Sequence, residues 1–205
     1  MPTILLIRHG ENEYVKSGKL AGRLPGVHLN ETRRTQAEAL GESLAKLPLK
    51  DVYSSPLERT METAAPIAAA HKLEVTPRPG LLEVDFGAWQ DKTFKQLQRR
   101  KLWKTVQSQP ARMRFPEGES FAEAQARMVE ELETLAALHK PQDVFACVGH
   151  SDMIKLTVAY YLGLPLDLFQ RLVVSPASIS TLHLGAGRVR LLNLNHSIFP
   201  PAPHG

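Results

Sequence analysis

Arg8 and His9 stand side by side where the apolar run ILLI ends, with Gly10 after them; a second histidine, His150, follows Gly149 at the end of the apolar run VFACVG. Alone, either histidine is no more than a polar strand end. Together with the cations around them they fit one chemistry, phosphoryl transfer to an imidazole. Such a reaction needs a neutral ring nitrogen as nucleophile, which histidine offers near neutral pH. It needs fixed cations for the phosphoryl oxygens, best supplied as planar guanidinium forks. It also needs an acid of raised pKa to protonate the leaving alkoxide. His9 is the candidate nucleophile; Arg8, Arg59 and His150 are candidates to hold the phosphoryl group; Glu83 is the candidate acid, with Glu11 and Asp85 as neighbouring competitors. His150 would serve best as an imidazolium, helped by the phosphate beside it.

Positioning these residues requires a particular scaffold. Pro2 to Arg8 reads as a buried strand, and 143–149 repeats its pattern. Between and around them the spacing predicts a long loop at 10–31, a helix over 32–47 and a strand at 51–55. A helix should come next, with Ser55 as N-cap and Pro56 at its first position. LEVT at 73–76 predicts a short strand, and PRPGLLEVDFG leads through a loop into another extended piece. Two helices are expected at about 91–107 and 119–139, the second with Phe121, Ala124, Met128, Leu132 and Leu135 on one face. A helix over 151–162, a C-terminal hairpin around GAG and a frayed PPAPHG tail complete the chain.

Strands alternating with helices imply a three-layer α/β/α sandwich with a mostly parallel central sheet and a helical cap insertion at about 91–139, all within one domain spanning 1–205. In such sheets ligands sit beyond the carboxyl ends of the strands. Arg8, His9 and His150 all lie at such ends, so the fold can join what the sequence separates.

Composition narrows the function classes. With 205 residues the chain can bury a core without disulfides or metals. Its net charge of +4 comes from basic residues mixed with acids, the densest cluster being QLQRRKLWK in an expected helix, so nucleic acid is not an expected partner. No apolar stretch approaches the roughly 20 residues of a membrane span. No basic leader precedes the first apolar run, so no signal peptide is expected. The single cysteine, Cys147, cannot form an internal disulfide; it reads as a packed core thiol and fits a cytoplasmic location. The six other histidines (His28, His71, His139, His183, His196 and His204) read as surface or tail residues, and Trp89 and Trp103 as packing residues.

LIRHGEN at 6–12, SSPLERTMETA at 54–64, LLEVDFGAWQ at 81–90, PEGESF at 116–121 and VGHSD at 148–152 occur in that order over most of the chain. In these motifs the chain resembles the histidine phosphatase superfamily, the phosphoglycerate-mutase-like proteins. The resemblance implies a covalent phosphohistidine mechanism with no metal and no cofactor. His9 would carry the phosphoryl group, with Arg8, Arg59 and His150 around it. Glu83 would protonate the leaving group and later activate water. Asn12 would touch the phosphate through its amide. Three residues on, where the family often has Asn, this chain has Val15, leaving one expected pocket hydrogen bond without a donor.

Phosphatases and mutases of the family share these residues. The mutase pattern places Arg directly after the catalytic Glu, whereas this chain has Val84 and Asp85. The expected function is therefore hydrolysis of a small phosphate ester, with phosphoglycerate mutase-type transfer as the alternative. A phosphoryl-binding pseudo-enzyme is disfavoured because every catalytic group is present, and a phosphoprotein phosphatase because the helical insertion suits a small substrate. Arg23, Arg78, Lys92, Arg112 and Arg114 are candidates for substrate specificity, and a homo-oligomer is left open.

Overall fold

The computed structural model describes residues 2–185 and 188–199, with the backbone alone at 31–34. Six strands among the described residues form one sheet: β1 (Thr3–Arg8), β2 (Leu49–Ser54), β3 (Val75–Pro77), β4 (Val144–Gly149), β5 (Ile179–Gly185) and β6 (Arg188–His196), in the order β3-β2-β4-β1-β5-β6. β1, β2, β3 and β4 run parallel; β5 pairs antiparallel to β1, and β6 antiparallel to β5. Successive side chains of a strand point to opposite faces. Ile4 and Leu6 of β1 accordingly join the apolar cluster on one side, and Leu5 and Ile7 the cluster on the other.

The second cluster is closed by α2 (Glu31–Leu44) and α3 (Glu58–Ala70), the first by α6 (Phe121–Ala137) and α7 (Ser151–Tyr161). This is the expected three-layer arrangement. The predicted apolar face of α6 is buried at all five positions, and Ser120 caps it reciprocally with Glu123. Helices α2 and α3 approach closely enough that a Cβ on Gly41 would lie 2.7 Å from the Pro66 carbonyl oxygen. Gly41→Ala is expected to destabilise the fold by about 1–2 kcal/mol, because overpacking outweighs the roughly 1 kcal/mol gain in helix propensity. Urea unfolding measures it; an unchanged or higher midpoint would show that the helices can move apart.

Several expectations need correction. The 10–31 segment contains a short helix, α1 (Glu13–Ser17), started by Asn12 and ended by Gly18 in the left-handed region (φ 62°). Ser55 does not cap α3; the N-cap is Leu57, and Pro56 lies outside the helix. The Ser55 hydroxyl is instead engaged by His150. No strand forms where PRPGLLEVDFG leads: two single-turn 3-10 segments, Pro79–Leu81 and Gly87–Trp89, frame the chain around Glu83 instead. The expected helix over 91–107 is two pieces, α4 (Phe94–Leu97) and α5 (Leu102–Ser108). Asp91 has φ 60°, Thr93 starts α4 with a capping box, and the exposed residues between Leu97 and Leu102 offer nothing to bury. His139 is not a surface residue: its ring stacks on Phe145 at 4.3 Å and meets the Tyr53 hydroxyl at 3.2 Å. His71 is half-buried, held by the Ile67 carbonyl at 2.9 Å. Trp89 is buried against Trp103 and Phe115, and Cys147 is buried. The PPAPHG tail and the middle of the GAG turn lie outside the described residues.

Candidate active site

The carboxyl ends of β1 and β4 are adjacent, Arg8 pairing with Gly149, so His9 and His150 leave the sheet together. Their rings meet edge to face at 5.3 Å. Backbone contacts fix the stretch around His9. The His9 N–H bonds the Gly149 carbonyl at 3.0 Å, and the Ala177 N–H reaches the Arg8 and His9 carbonyls at 3.2 and 3.3 Å. The Gly10 N–H donates to Thr63 Oγ1 at 3.1 Å, and that hydroxyl donates to the Arg59 carbonyl at 2.7 Å, tying the end of β1 to α3.

His9 Nδ1 lies 2.7 Å from the Gly10 carbonyl oxygen. A carbonyl only accepts, so the proton sits on Nδ1 and the Nε2 lone pair is free. Burial, then Arg59 and Arg8, lower the His9 pKa well below the ordinary value, so the ring is neutral. His150 occupies the N-cap position of α7, with Nε2 2.9 Å from Ser55 Oγ and Nδ1 3.4 Å from an Arg59 Nη2 that can only donate. Its pKa is also lowered well below the ordinary value, by burial and then by Arg59, His9 and Arg8. His150 is therefore neutral in this arrangement.

Two arginines bring the positive charge. Arg59 is 1% exposed, and its Nη2 donates to the Gly22 carbonyl at 2.6 Å. Its Nε and Nη1 are buried with no protein partner, as is Nε of Arg8, whose Nη1 holds the Val174 carbonyl at 2.6 Å. Burial lowers both guanidinium pKa values. Unpaired buried donors are costly in a folded protein. Here three of them belong to residues lining one cavity, a pattern that favours an anion.

Glu83 lies across that cavity. One carboxyl oxygen accepts from the Val84 N–H at 2.9 Å, and the other is 3.8 Å from His150 Nδ1. Burial and the charge of Asp152 raise its pKa to about 7, against the opposing pull of the Val84 N–H, Arg59 and Arg8. The competitors are placed differently. Asp85 turns to the Gly87 N–H at 3.0 Å and to Arg23 at 3.8 Å, and neither Asp85 nor Glu11 lines the cavity. Asn12 is buried and lines it; its Oδ1 accepts from the Val15 N–H at 2.9 Å, which leaves the amide Nδ2 as its donor. Val15 makes the wall beside it apolar.

All six sequence-derived residues (Arg8, His9, Asn12, Arg59, Glu83 and His150) are thus gathered at one end of the sheet. All but His150 line the cavity of about 290 Å³, and His150 sits behind it between His9 and Glu83. None of Arg23, Arg78, Lys92, Arg112 and Arg114 lines it; the rim lysines are Lys19 and Lys155, each paired with a carboxylate, Asp91 at 3.0 Å and Asp152 at 3.3 Å. Sequence reasoning also missed Ser55, whose hydroxyl looked like a helix cap, and Thr63, an ordinary helix position.

The family model described as "Histidine phosphatase superfamily (branch 1)" matches residues 4–197. Phosphoserine phosphatase 1 of Hydrogenobacter thermophilus is 31% identical over 197 residues, which cover 95% of this chain and 92% of that protein. A probable phosphoglycerate mutase of Serratia proteamaculans is 30% identical, over 88% of this chain and 84% of its own. Among solved structures, a phosphoserine phosphatase from Entamoeba histolytica in complex with 3-phosphoglyceric acid superposes with a TM-score of 0.88 at 27% identity, covering 97% of this chain and 98% of that one. By sequence along nearly its whole length and by fold, the chain belongs to the histidine phosphatase superfamily.

Proposed function

We propose that this phosphomonoester hydrolase, a phosphatase of small phosphorylated metabolites, works by double displacement through His9. The single observation that carries the proposal is the buried cluster itself: a neutral imidazole with a free Nε2, beside unpaired guanidinium donors, facing a carboxyl group whose pKa lies near 7. Nε2 attacks phosphorus as the bond to the ester oxygen breaks, and the Glu83 carboxyl gives its proton to the departing alkoxide. The Glu83 carboxylate then takes a proton from water as that water attacks the phosphohistidine, the P–N bond breaks, and phosphate leaves. Arg8, Arg59 and the Asn12 amide hold the phosphoryl oxygens throughout, and His150, behind them, adds positive charge once the bound anion favours its protonation. A cytoplasmic setting and no resident metal or cofactor belong to the same reading.

Hydrolysis is favoured over mutase-type transfer by the two residues next to Glu83 in the chain. Val84 is fully buried and Asp85 is turned to Arg23, so neither supplies a cation for a second phosphate or a carboxylate. The test is a panel of phosphate esters with 3-phosphoglycerate, in chelator, measuring both released phosphate and isomerised ester. Phosphate release without isomerisation is the expected result; isomerisation with little free phosphate would make the chain a mutase.

Glu83→Gln separates the acid's two consequences. Its kcat/KM should fall by about 10²-fold or more for alkyl esters and far less for an activated aryl ester, whose leaving group needs no proton. In the parent protein, the alkyl rate should decline above about pH 7 as the carboxyl ionises. Stability should fall with rising pH as well. The folded carboxyl titrates near 7 against an ordinary 4.5, so the native state binds more protons in that window, and its stability falls as pH rises through it. Above that window Glu83→Gln should be more stable than the parent, on the order of 2–4 kcal/mol, and near pH 5 the gap should nearly close. Urea unfolding at the two pH values measures it; a gap that does not grow with pH would contradict the buried-acid assignment.

A further inference from the structure

The PEGESF motif takes no part in the chemistry of the cavity, yet its loop is built against the loop that carries Glu83. The Pro116 carbonyl accepts from the Ala88 N–H at 2.9 Å, and the Glu119 N–H donates to the Asp85 carbonyl at 3.0 Å. Two glycines permit this approach: a Cβ on Gly118 would lie 2.2 Å from the Asp85 oxygen, and one on Gly87 2.1 Å from the Pro116 oxygen. The Glu119 side chain completes the contact. Its Oε1 accepts from the Asp85 N–H at 2.9 Å and from two guanidinium groups, Arg23 Nη2 and Arg127 Nη2, each at 2.8 Å. Those same arginines grip the main chain around the acid. Arg23 Nε donates to the Glu83 carbonyl at 2.7 Å; Arg127 Nη1 donates to the Gly80 and Leu82 carbonyls at 2.7 and 2.9 Å, and its Nη2 reaches the Glu83 carbonyl at 3.4 Å.

We infer that Glu119, with Arg23 and Arg127, is a positioning unit for Glu83: it sets where the acid's carboxyl stands relative to the leaving oxygen. The inference rests on Glu83 being the acid. The segment that carries Glu83 is not part of any strand or helix, so no ladder of backbone hydrogen bonds fixes it. A carboxylate shared by two bidentate-capable cations, closed onto the Gly80, Leu82 and Glu83 carbonyls, supplies that rigidity instead. None of the three residues lines the cavity, so none binds the ester. Their effect must pass through Glu83.

Glu119→Gln keeps an acceptor for the Asp85 N–H but removes the charge that holds the arginines. Its kcat/KM for an alkyl phosphate should fall about 10- to 100-fold, the scale of a small misplacement of a reacting group. For p-nitrophenyl phosphate it should fall no more than about 3-fold, since that leaving group needs no acid. In the Glu83→Gln background the same substitution should add almost nothing on the alkyl ester, because the group it positions is already gone. Arg23→Met, which alters a partly exposed side chain, repeats the test should Glu119→Gln fold poorly. Equal losses on both esters, or losses that add to those of Glu83→Gln, would overturn the inference and make the cluster a stabilising contact only. A Glu83→Gln variant that itself shows no leaving-group selectivity would overturn both the inference and the assignment of the acid.

Discussion

Replacing His9 by alanine is expected to lower kcat by about 10⁴-fold or more, the scale seen when a nucleophile is deleted from a site whose other groups remain. The reason is local. Among the described residues, His9 is the one group in the cavity with its proton committed to a backbone carbonyl, Nδ1 to Gly10, and its other nitrogen left as a base. Burial and two neighbouring arginines keep that nitrogen unprotonated well into the acid range, so the nucleophile stays competent where the acid, Glu83, is also in its working form. No other described side chain can take over. His150 is displaced behind the cavity with Nε2 turned to Ser55 and Nδ1 to Arg59 and Glu83, and Cys147 is buried in a β-strand with its thiol pKa raised well above the ordinary value. Steady-state turnover of any good ester measures the effect, with thermal unfolding as the check that the fold persists. Retention of more than about one part in 10² of the rate would remove His9 from the mechanism.

Arg59→Met should produce the second largest loss, about 10³- to 10⁴-fold in kcat/KM, comparable with removal of a guanidinium from a phosphoryl-transfer site. It should do so without weakening the free protein. Arg59 is a nearly fully buried cation with two unpaired donors, and burial works against its charge. Methionine of similar length keeps the packing and removes that desolvation penalty, at the loss of the bonds to the Gly22 carbonyl and to His150 Nδ1. The melting temperature without ligand should therefore be equal or higher, while the extra stability conferred by phosphate or vanadate disappears. A drop of several degrees in the free protein would mean that Arg59 is a structural strut. This balance is the expected signature of a group kept for its ligand at the expense of the empty fold.

The sheet and the strand-end candidates Arg8, His9 and His150 are legible in the sequence for one physical reason, whereas Arg59, Glu83 and Asn12 stand out through the motifs shared with the family. In a parallel sheet the functional groups collect at strand ends, and ILLIRHG and VFACVGH announce those ends by an abrupt change from apolar to polar. What was missed depends on contacts that no local pattern encodes. Ser55-Pro56 has the composition of a helix start, but the hydroxyl is more useful to His150, so the helix begins later without a side-chain cap. PRPGLLEVDFG leads the sequence to suggest an extended piece, but the segment pairs with none of the six strands and is held by Glu119, Arg23 and Arg127 instead. Arg127 lies in an amphipathic helix where an arginine reads as solvated, and Glu119 reads as part of a helix cap. Only the folded arrangement joins them. His139 is hidden from the sequence in the same way, since its burial comes from Phe145 and Tyr53 on neighbouring strands.

In the proposed mechanism phosphorus is attacked twice, first by His9 and then by water. The most direct measurement is the stereochemical course of hydrolysis of a thiophosphate monoester made chiral with oxygen isotopes, in isotopically labelled water and with chelator present. It does not depend on how long an intermediate survives. Two in-line displacements each invert the centre, so net retention of configuration is the expected result. Inversion would mean a single direct attack by water and would contradict the phosphohistidine route, whatever the activity of the His9 variants.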